Sequence, residues 1–334
     1  MKKIHKQVAS FALAVAFSLS AASANAATSE DAPACDAAHP MTASMESSMQ
    51  NWSDADLLAL SNEQIDEMGL PPRQSLSQGD DTESWLGEVR LPRTHTVPDC
   101  ISSENVQGYV AGPNWAGYKG VSGSTTGYVA VQGDFVVPSI SSGAGCNSSL
   151  SSYTGWVGLG GIGVPLIQGG IVYGLGAATP SFFWEYVSPT GGLPVQNVTL
   201  PTGQTLSAGD RIHIWVNYLT SSSTMNFGFS NLTKGYSGTI TKPVSSAFYN
   251  GSTAEWIDER LTVTIPSGTY YSQLYNFGNV AWTNMQVERS NFVWYGLSSQ
   301  NYAGLVMVNS SSTLAQPNAL TTGNNFTDSY VNCQ

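Results

Sequence analysis

Histidine, charge and long apolar runs are all scarce in this 334-residue chain, and each scarcity removes a class of function. Of four histidines only His213 lies beyond residue 95. A Ser-His-Asp or Cys-His site would have to use it, yet it sits mid-strand among apolar neighbours, where a structural role is expected. There is no H-E-x-x-H, no G-x-S-x-G and no Asp-Thr-Gly or Asp-Ser-Gly, which removes the common zinc, serine and pepsin-type hydrolase signatures. Charged residues make up 10% of the chain and the formal net charge is −11. With no basic stripe, nucleic acid is not an expected partner. The longest apolar run, Val8 to Leu19, is too short for a permanent membrane span. No cofactor is expected either: Gly158-Leu-Gly-Gly-Ile-Gly163 has no helical pattern after it, so a nucleotide cradle is a poor reading. The spacing of Cys35, Cys100, Cys146 and Cys333 does not resemble a zinc site.

What is present begins with an export signal. Lys2, Lys3 and Lys6 precede the apolar run, and Ala24-Asn25-Ala26 closes a small-residue stretch. That order predicts a secretory signal peptide over 1–26, of bacterial appearance, and hence an extracellular or periplasmic protein. Four cysteines in an exported chain imply disulfides, with three full pairings open. The charges then divide the chain. Fourteen of the 23 acidic residues lie at or before Asp99, leaving 9 for the rest, where 6 of the 12 basic residues also fall, a formal 6 − 9 = −3. Few ionisable groups suit a domain that must survive acid, because acid unfolds proteins chiefly by protonating paired carboxylates. Residues 27–105 read as an acidic propeptide or linker with one helix, capped by Ser53 and ended by Gly69 and Pro71-Pro72.

From residue 106 to 334 the texture is β-rich. Runs at 127–137, 153–159, 166–173, 181–187, 211–218, 225–229, 254–263, 280–287 and 305–308 are separated by Gly, Ser, Asn and Pro turns. Ile212, Ile214 and Val216 alternate onto one face. Two packed antiparallel sheets, an all-β sandwich, are the economical architecture.

The chemistry-bearing residues left over are carboxylates and amides. In Ala254-Glu-Trp-Ile-Asp-Glu-Arg260, strand alternation puts Glu255, Ile257 and Glu259 on one face and Trp256 and Asp258 on the other. Gln168 is a polar amide inside the apolar run Pro165-Leu-Ile-Gln-Gly-Gly170, flanked on its own face by Leu166 and Gly170.

Asn114-Trp-Ala-Gly117, Phe135-Val-Val-Pro138, Trp156-Val-Gly-Leu-Gly-Gly161, Leu166-Ile-Gln-Gly169, Trp184-Glu-Tyr186, Ala208-Gly-Asp210 and Ala254-Glu-Trp-Ile257 occur in this order. Together, and with Leu314-Ala-Gln-Pro-Asn-Ala-Leu320, they resemble the glutamic peptidases, the eqolisin family, from Asn114 to the end. The resemblance implies a concanavalin-like sandwich, endopeptidase activity at acid pH without a cofactor, and a catalytic dyad that falls on Gln168 and Glu255. It implies cleft positions at Trp115, Trp156 and Glu185, peptide or protein substrates, a monomer, and no membrane once the signal is removed. In that reading Glu255 takes a proton from water and returns it to the departing nitrogen, while the Gln168 amide stabilises the oxyanion. Glu255 then needs a pKa near the ordinary carboxylate range, with Trp256 and Arg260 as the neighbours expected to tune it. Two departures stand out: Gly160 replaces an aspartate common in the family, and the prosegment is acidic where fungal members have basic ones.

The main rival is a glycan-binding or glycoside-hydrolysing sandwich. Its usual E-x-D-x-E signature places three acids on one face, whereas E-x-x-D-E here sends Asp258 to the opposite one. A silent binding module is the other, and it gives no reason for the contexts of Gln168 and Glu255. Processing of a precursor is expected between Leu91 and Gln107.

Overall fold

A computed structural model describes residues 109–334, apart from 124–126, 162–163, 189–190, 266–267 and 310–311. It also describes the short pieces 39–40, 54–59, 93–95 and 105–106. The expected signal peptide lies outside the described residues, as do Cys35, Cys100 and most of the expected prosegment. Asp54–Ala59 is helical, directly after the proposed Ser53 cap.

The strands that build the body are β1 (Trp115–Val121), β2 (Tyr128–Val136), β3 (Ser151–Gly160), β4 (Leu166–Tyr173) and β5 (Ser181–Ser188). They continue with β6 (Gly191–Asn197), β7 (Arg211–Leu219), β8 (Thr224–Asn231), β9 (Tyr236–Pro243) and β10 (Thr253–Glu259). The last four are β11 (Asn279–Arg289), β12 (Asn301–Val308), β13 (Thr313–Pro317) and β14 (Phe326–Tyr330). The protein is an all-β sandwich. One antiparallel sheet runs β6-β5-β4-β3-β10-β1-β12-β13-β14. The other runs β9-β8-β7-β2-β11.

Strand β11 joins the sheets. Asn279–Trp282 pairs with β14, while Thr283–Arg289 pairs with β2, and the register shifts between Thr283 and Gln286. Asn284 lies at that shift with φ 55°, a left-handed conformation that asparagine tolerates better than most residues. The resulting bulge lets one strand serve two layers.

Between the sheets, side chains from alternate positions interdigitate. Val157, Ile167, Ile171, Phe182 and Trp256 of the first sheet meet Ile212, Ile214, Val216, Phe227 and Phe229 of the second. Gly169 makes one such contact possible: a Cβ there would lie 2.2 Å from the Phe227 ring. A disulfide between Cys146 and Cys333, 187 residues apart, ties the loop before β3 to the C-terminus.

The other face of the first sheet has its own apolar cluster, built from Trp115, Trp156, Leu166, Val172, Phe183, Val187, Ile257, Leu261 and Leu305. Apart from Leu261, which follows β10, these residues lie on strands of the first sheet, so that sheet is apolar on both sides. A short hairpin, Thr262–Ile265 and Gly268–Tyr271, follows β10. It takes Arg93–His95 as an extra antiparallel strand on Thr262–Thr264 and His39–Pro40 as a parallel one on Tyr270–Tyr271.

Candidate active site

The register of five adjacent strands places the polar residues of the outer face in a single line. Lys119 of β1 pairs with Glu255 of β10, Glu255 with Gly158 of β3, Gly158 with Gln168 of β4, and Gln168 with Glu185 of β5. Directly paired residues share a face. Strands lie about 4.8 Å apart, so the backbones of Glu255 and Gln168, two strands apart, stand roughly 10 Å from each other. The residue between them has no side chain. A Cβ on Gly158 would sit 2.8 Å from Trp156 Cζ3, 2.9 Å from Leu166 Cδ1 and 3.2 Å from Gln168 Cβ, so any larger residue would fill the gap.

The carboxylates and the amide of the row are buried, and Lys119 at its end is partly exposed. Gln168 and Glu185 are 0% exposed and Glu255 is 1% exposed. Gln168 Nε2 donates to Glu185 Oε2 at 3.1 Å, while Gln168 Oε1 has no hydrogen-bond partner. Glu255 Oε2 is likewise buried without one. Burial drives the Glu255 carboxyl well above its ordinary range, opposed by the Thr253 hydroxyl and by the Lys119 ammonium. The Thr253 hydroxyl has one proton, which goes to the Gly160 carbonyl at 3.1 Å. Of the two counterweights Thr253 is the larger, and Lys119 is the charged one. The expectation that Glu255 stays near the carboxylate range does not hold in this state, because water has been removed from around it.

Glu259, four residues along the same strand, has the opposite environment. Its Oε1 accepts from Asn114 Nδ2 at 2.8 Å and its Oε2 from Trp156 Nε1 at 2.7 Å. Burial nonetheless raises its pKa; the Trp156 N–H works against that rise and the nearby Glu185 adds to it. The anchored Trp156 packs edge-on against Trp115, ring centroids 4.8 Å apart at 75°. Trp115, Trp156, Gln168, Glu185 and Glu255 thus all lie on one face of one sheet.

The loop after β3 closes over this face. Gly160 and Gly161 have φ +96° and +137°, and a Cβ on Gly161 would lie 3.5 Å from Glu255 Oε1. A Cβ on Gly160 would fall 1.9 Å from the Pro165 carbonyl oxygen, so the aspartate common in the family at this position does not fit the loop as built.

Two expected tuners are elsewhere. Trp256 points into the sandwich and donates to the Gln132 carbonyl at 2.7 Å. Arg260 donates from Nε to the Pro113 carbonyl at 3.0 Å and lies over Tyr271. Lys119 and Asn114 were not singled out by sequence. Lys119 sits in a glycine-interrupted strand whose pairing partner is 136 positions away, and Asn114 was read only as part of a motif. His213 is structural, its Nδ1 2.6 Å from Asp134 Oδ1.

Asp258, on the inner face of β10, takes hydrogen bonds from the Tyr153 hydroxyl and from Trp282 Nε1 at 2.8 Å. It lies beside Asp328, and burial raises both carboxyls, which share the site. Among the described residues no group of three or more His, Cys, Asp or Glu is arranged to hold a metal ion.

A model of the family described as "Peptidase A4 family" matches residues 113–333, two-thirds of the chain and all of the strands above. The chain belongs to the peptidase A4 family. It is a glutamic-type peptidase, a hydrolase acting on peptide bonds. Among solved structures it is similar to scytalido-glutamic peptidase bound to a peptide-based transition-state analogue. That match has 22% identity and TM-score 0.53, and covers 66% of this chain and 98% of that one. A second complex of scytalido-glutamic peptidase, with a transition-state analogue inhibitor, matches at 23% identity, TM-score 0.53 and the same coverage. Aspergilloglutamic peptidase from Aspergillus niger matches over 54% of this chain and 99% of its own, at 24% identity and TM-score 0.43. At these identities the scytalido-glutamic structures establish the shared fold. No curated protein sequence matches the chain.

Proposed function

We propose that the chain is the precursor of a secreted acid endopeptidase in which Glu255 acts as general base and then acid on water, and Gln168 stabilises the tetrahedral oxyanion. The observation that carries this reading is the contrast between the two outer-face glutamates of β10. Glu259 has both carboxylate oxygens engaged by Asn114 and Trp156, whereas Glu255 keeps Oε2 unpartnered on the row shared with Gln168. A buried carboxylate with nothing to hold is costly to keep, and it suits a group whose partner is substrate or water.

The Gln168 amide has two N–H groups. One is committed to Glu185, which fixes its direction, and the other is left to face a developing oxyanion. Such a donor is typically worth about 3–4 kcal/mol in the transition state. The gap above Gly158 gives the scissile amide a place between the two side chains. Buried in the precursor, Glu255 favours its protonated form. Access of water to the row lowers its pKa towards the working range of an acid enzyme. Acid processing between Leu91 and Gln107 is the step assigned to that opening. The extra strand Arg93–His95 lies within this stretch.

The test is casein digestion at pH 2–5 by Gln168→Ala, Glu255→Gln and the double variant. Glu255→Gln is expected to lose about 10²–10⁴-fold and Gln168→Ala about 10²–10³-fold. Because the two act together, the double variant should be little worse than Glu255→Gln. Near-wild-type cleavage by either single variant, with native circular dichroism, would remove the dyad.

A further inference from the structure

We propose that Lys119 is the positioning residue that sets the acid limit of this enzyme, its ammonium holding the Glu255 carboxylate ionised from across the β1–β10 pair. The proposal rests on the reading of Glu255 as the general base. It starts from register: Lys119 and Glu255 are directly opposed on adjacent antiparallel strands, where Cβ atoms stand about 4.5–5.5 Å apart. It is supported by burial, since Lys119 is half-buried, and a cation withdrawn from water acts on its neighbour more strongly than an exposed one.

The groups that face Glu255 leave Lys119 as the cation that opposes its protonation. Its own strand supplies Glu259, an acid, and the Thr253 hydroxyl, whose proton is given to Gly160. Strand β3 presents Trp156 and Gly158 to this face, and the loop 160–165 carries no ionisable side chain. Strands β4 and β5 present the neutral Gln168 and, beyond it, Glu185. The start of β2 brings the Tyr128 phenol, whose ionisation the Glu255 charge opposes. The Arg289 guanidinium lies 5.1 Å over the Tyr128 ring and bonds to the Ser122 carbonyl and Gln300. The Lys119 strand is flanked on its far side by Ala303 of β12, which carries no charge. Burial therefore pushes Glu255 towards the neutral acid, and the Thr253 hydroxyl and the Lys119 ammonium push back, Lys119 being the one that carries a charge. Burial lowers the Lys119 pKa and Glu255 raises it again. At pH 2–5 an amine remains protonated, so the opposing charge is present wherever the enzyme works.

The sign follows directly. Removing the cation raises the pH at which Glu255 gives up its proton, so the acid limb of the rate profile moves to higher pH. An opposite charge at this range shifts a carboxylate by about 1 unit at the low end, which corresponds to about tenfold in rate at a pH below the limb.

The experiment uses the full-length chain, processed at acid pH, with kcat/KM for a peptide substrate measured from pH 2 to 7. Lys119→Met and Lys119→Gln are expected to move the acid limb up by about 1 unit, losing about tenfold at the acid end and at most a few-fold on the plateau. Lys119→Arg, which keeps the charge, should retain the wild-type limb. Three results overturn the proposal: an unmoved limb in both neutral variants, an equal loss at every pH, or an arginine variant that behaves like methionine. Glu255→Gln is run beside them. If it is inactive while the limb stays put in Lys119→Met, only the role of Lys119 falls. If it is active, the reading of Glu255 falls first.

Discussion

The two faces of β10 treat their carboxylates in opposite ways. Towards the sandwich interior, Asp258 is held by a tyrosine hydroxyl and a tryptophan N–H and shares its site with Asp328. Towards the outer face, Glu259 is held as firmly by Asn114 and Trp156. Glu255, on the same strand and equally buried, has the Thr253 hydroxyl and the field of Lys119 beside it and one buried, unpartnered oxygen. Burial alone does not mark a working acid here, because all three are buried. What separates them is whether the protein has already supplied the hydrogen bonds. Asp258 and Glu259 have a donor on each oxygen, whereas the acid proposed to do chemistry keeps one oxygen unpartnered.

That contrast can be broken or sharpened by substitution. After the loss of activity predicted for Glu255→Gln, the next largest effect is on stability. Asp258→Asn keeps the shape but turns an N–H towards the Tyr153 or Trp282 donor, leaving buried groups unsatisfied at about 1–3 kcal/mol. Thermal unfolding at pH 4 should show that loss, with the catalytic rate per folded molecule unchanged. A loss of rate with unchanged stability would erase the distinction between the faces.

The Asp258–Asp328 pair also makes a pH prediction. Burial raises both carboxyls above their unfolded values, so their stabilising contribution is complete in acid and is lost as pH rises through the folded values. Each unit of elevation corresponds to about 1.4 kcal/mol. Asp328→Asn imitates the protonated partner at every pH. It should flatten the decline of Tm between pH 4 and 8 without altering Tm at pH 3. A variant whose Tm falls as steeply as wild type would show that the decline arises elsewhere. The smallest effect is expected for Glu259→Gln: one of its two donors loses an acceptor, and a rise in KM through a loosened Trp156 should exceed any fall in kcat.

Much of the fold could be read from alternation and turn residues. The run at 166–173 matches β4 residue for residue, and Ile212, Ile214 and Val216 are buried in the period-2 pattern of β7. The assignment of Glu255 and Asp258 to opposite faces followed from the same period and is what the structure has. The single run expected over 254–263 is two strands, interrupted at Arg260-Leu261. Strand β1 was not marked, because Gly117 and Gly120 interrupt its pattern, and β14 is short and polar. Those omissions hid Lys119 and Asp328. Their partners lie far away in sequence, and only the register of a folded sheet joins them. The same limit applies to the row itself: motif contexts pointed to Gln168 and Glu255 separately, but their alignment across Gly158 depends on two strand pairings that no local pattern encodes.

The most direct test sets the two outer-face glutamates against each other. Acid digestion of casein at pH 3, with pepstatin present, would be measured for processed wild type, Glu255→Gln and Glu259→Gln under conditions where all three are folded. The account predicts cleavage by wild type and Glu259→Gln and none detectable by Glu255→Gln. Cleavage that survives Glu255→Gln and disappears in Glu259→Gln would contradict it and move the base four residues along the strand.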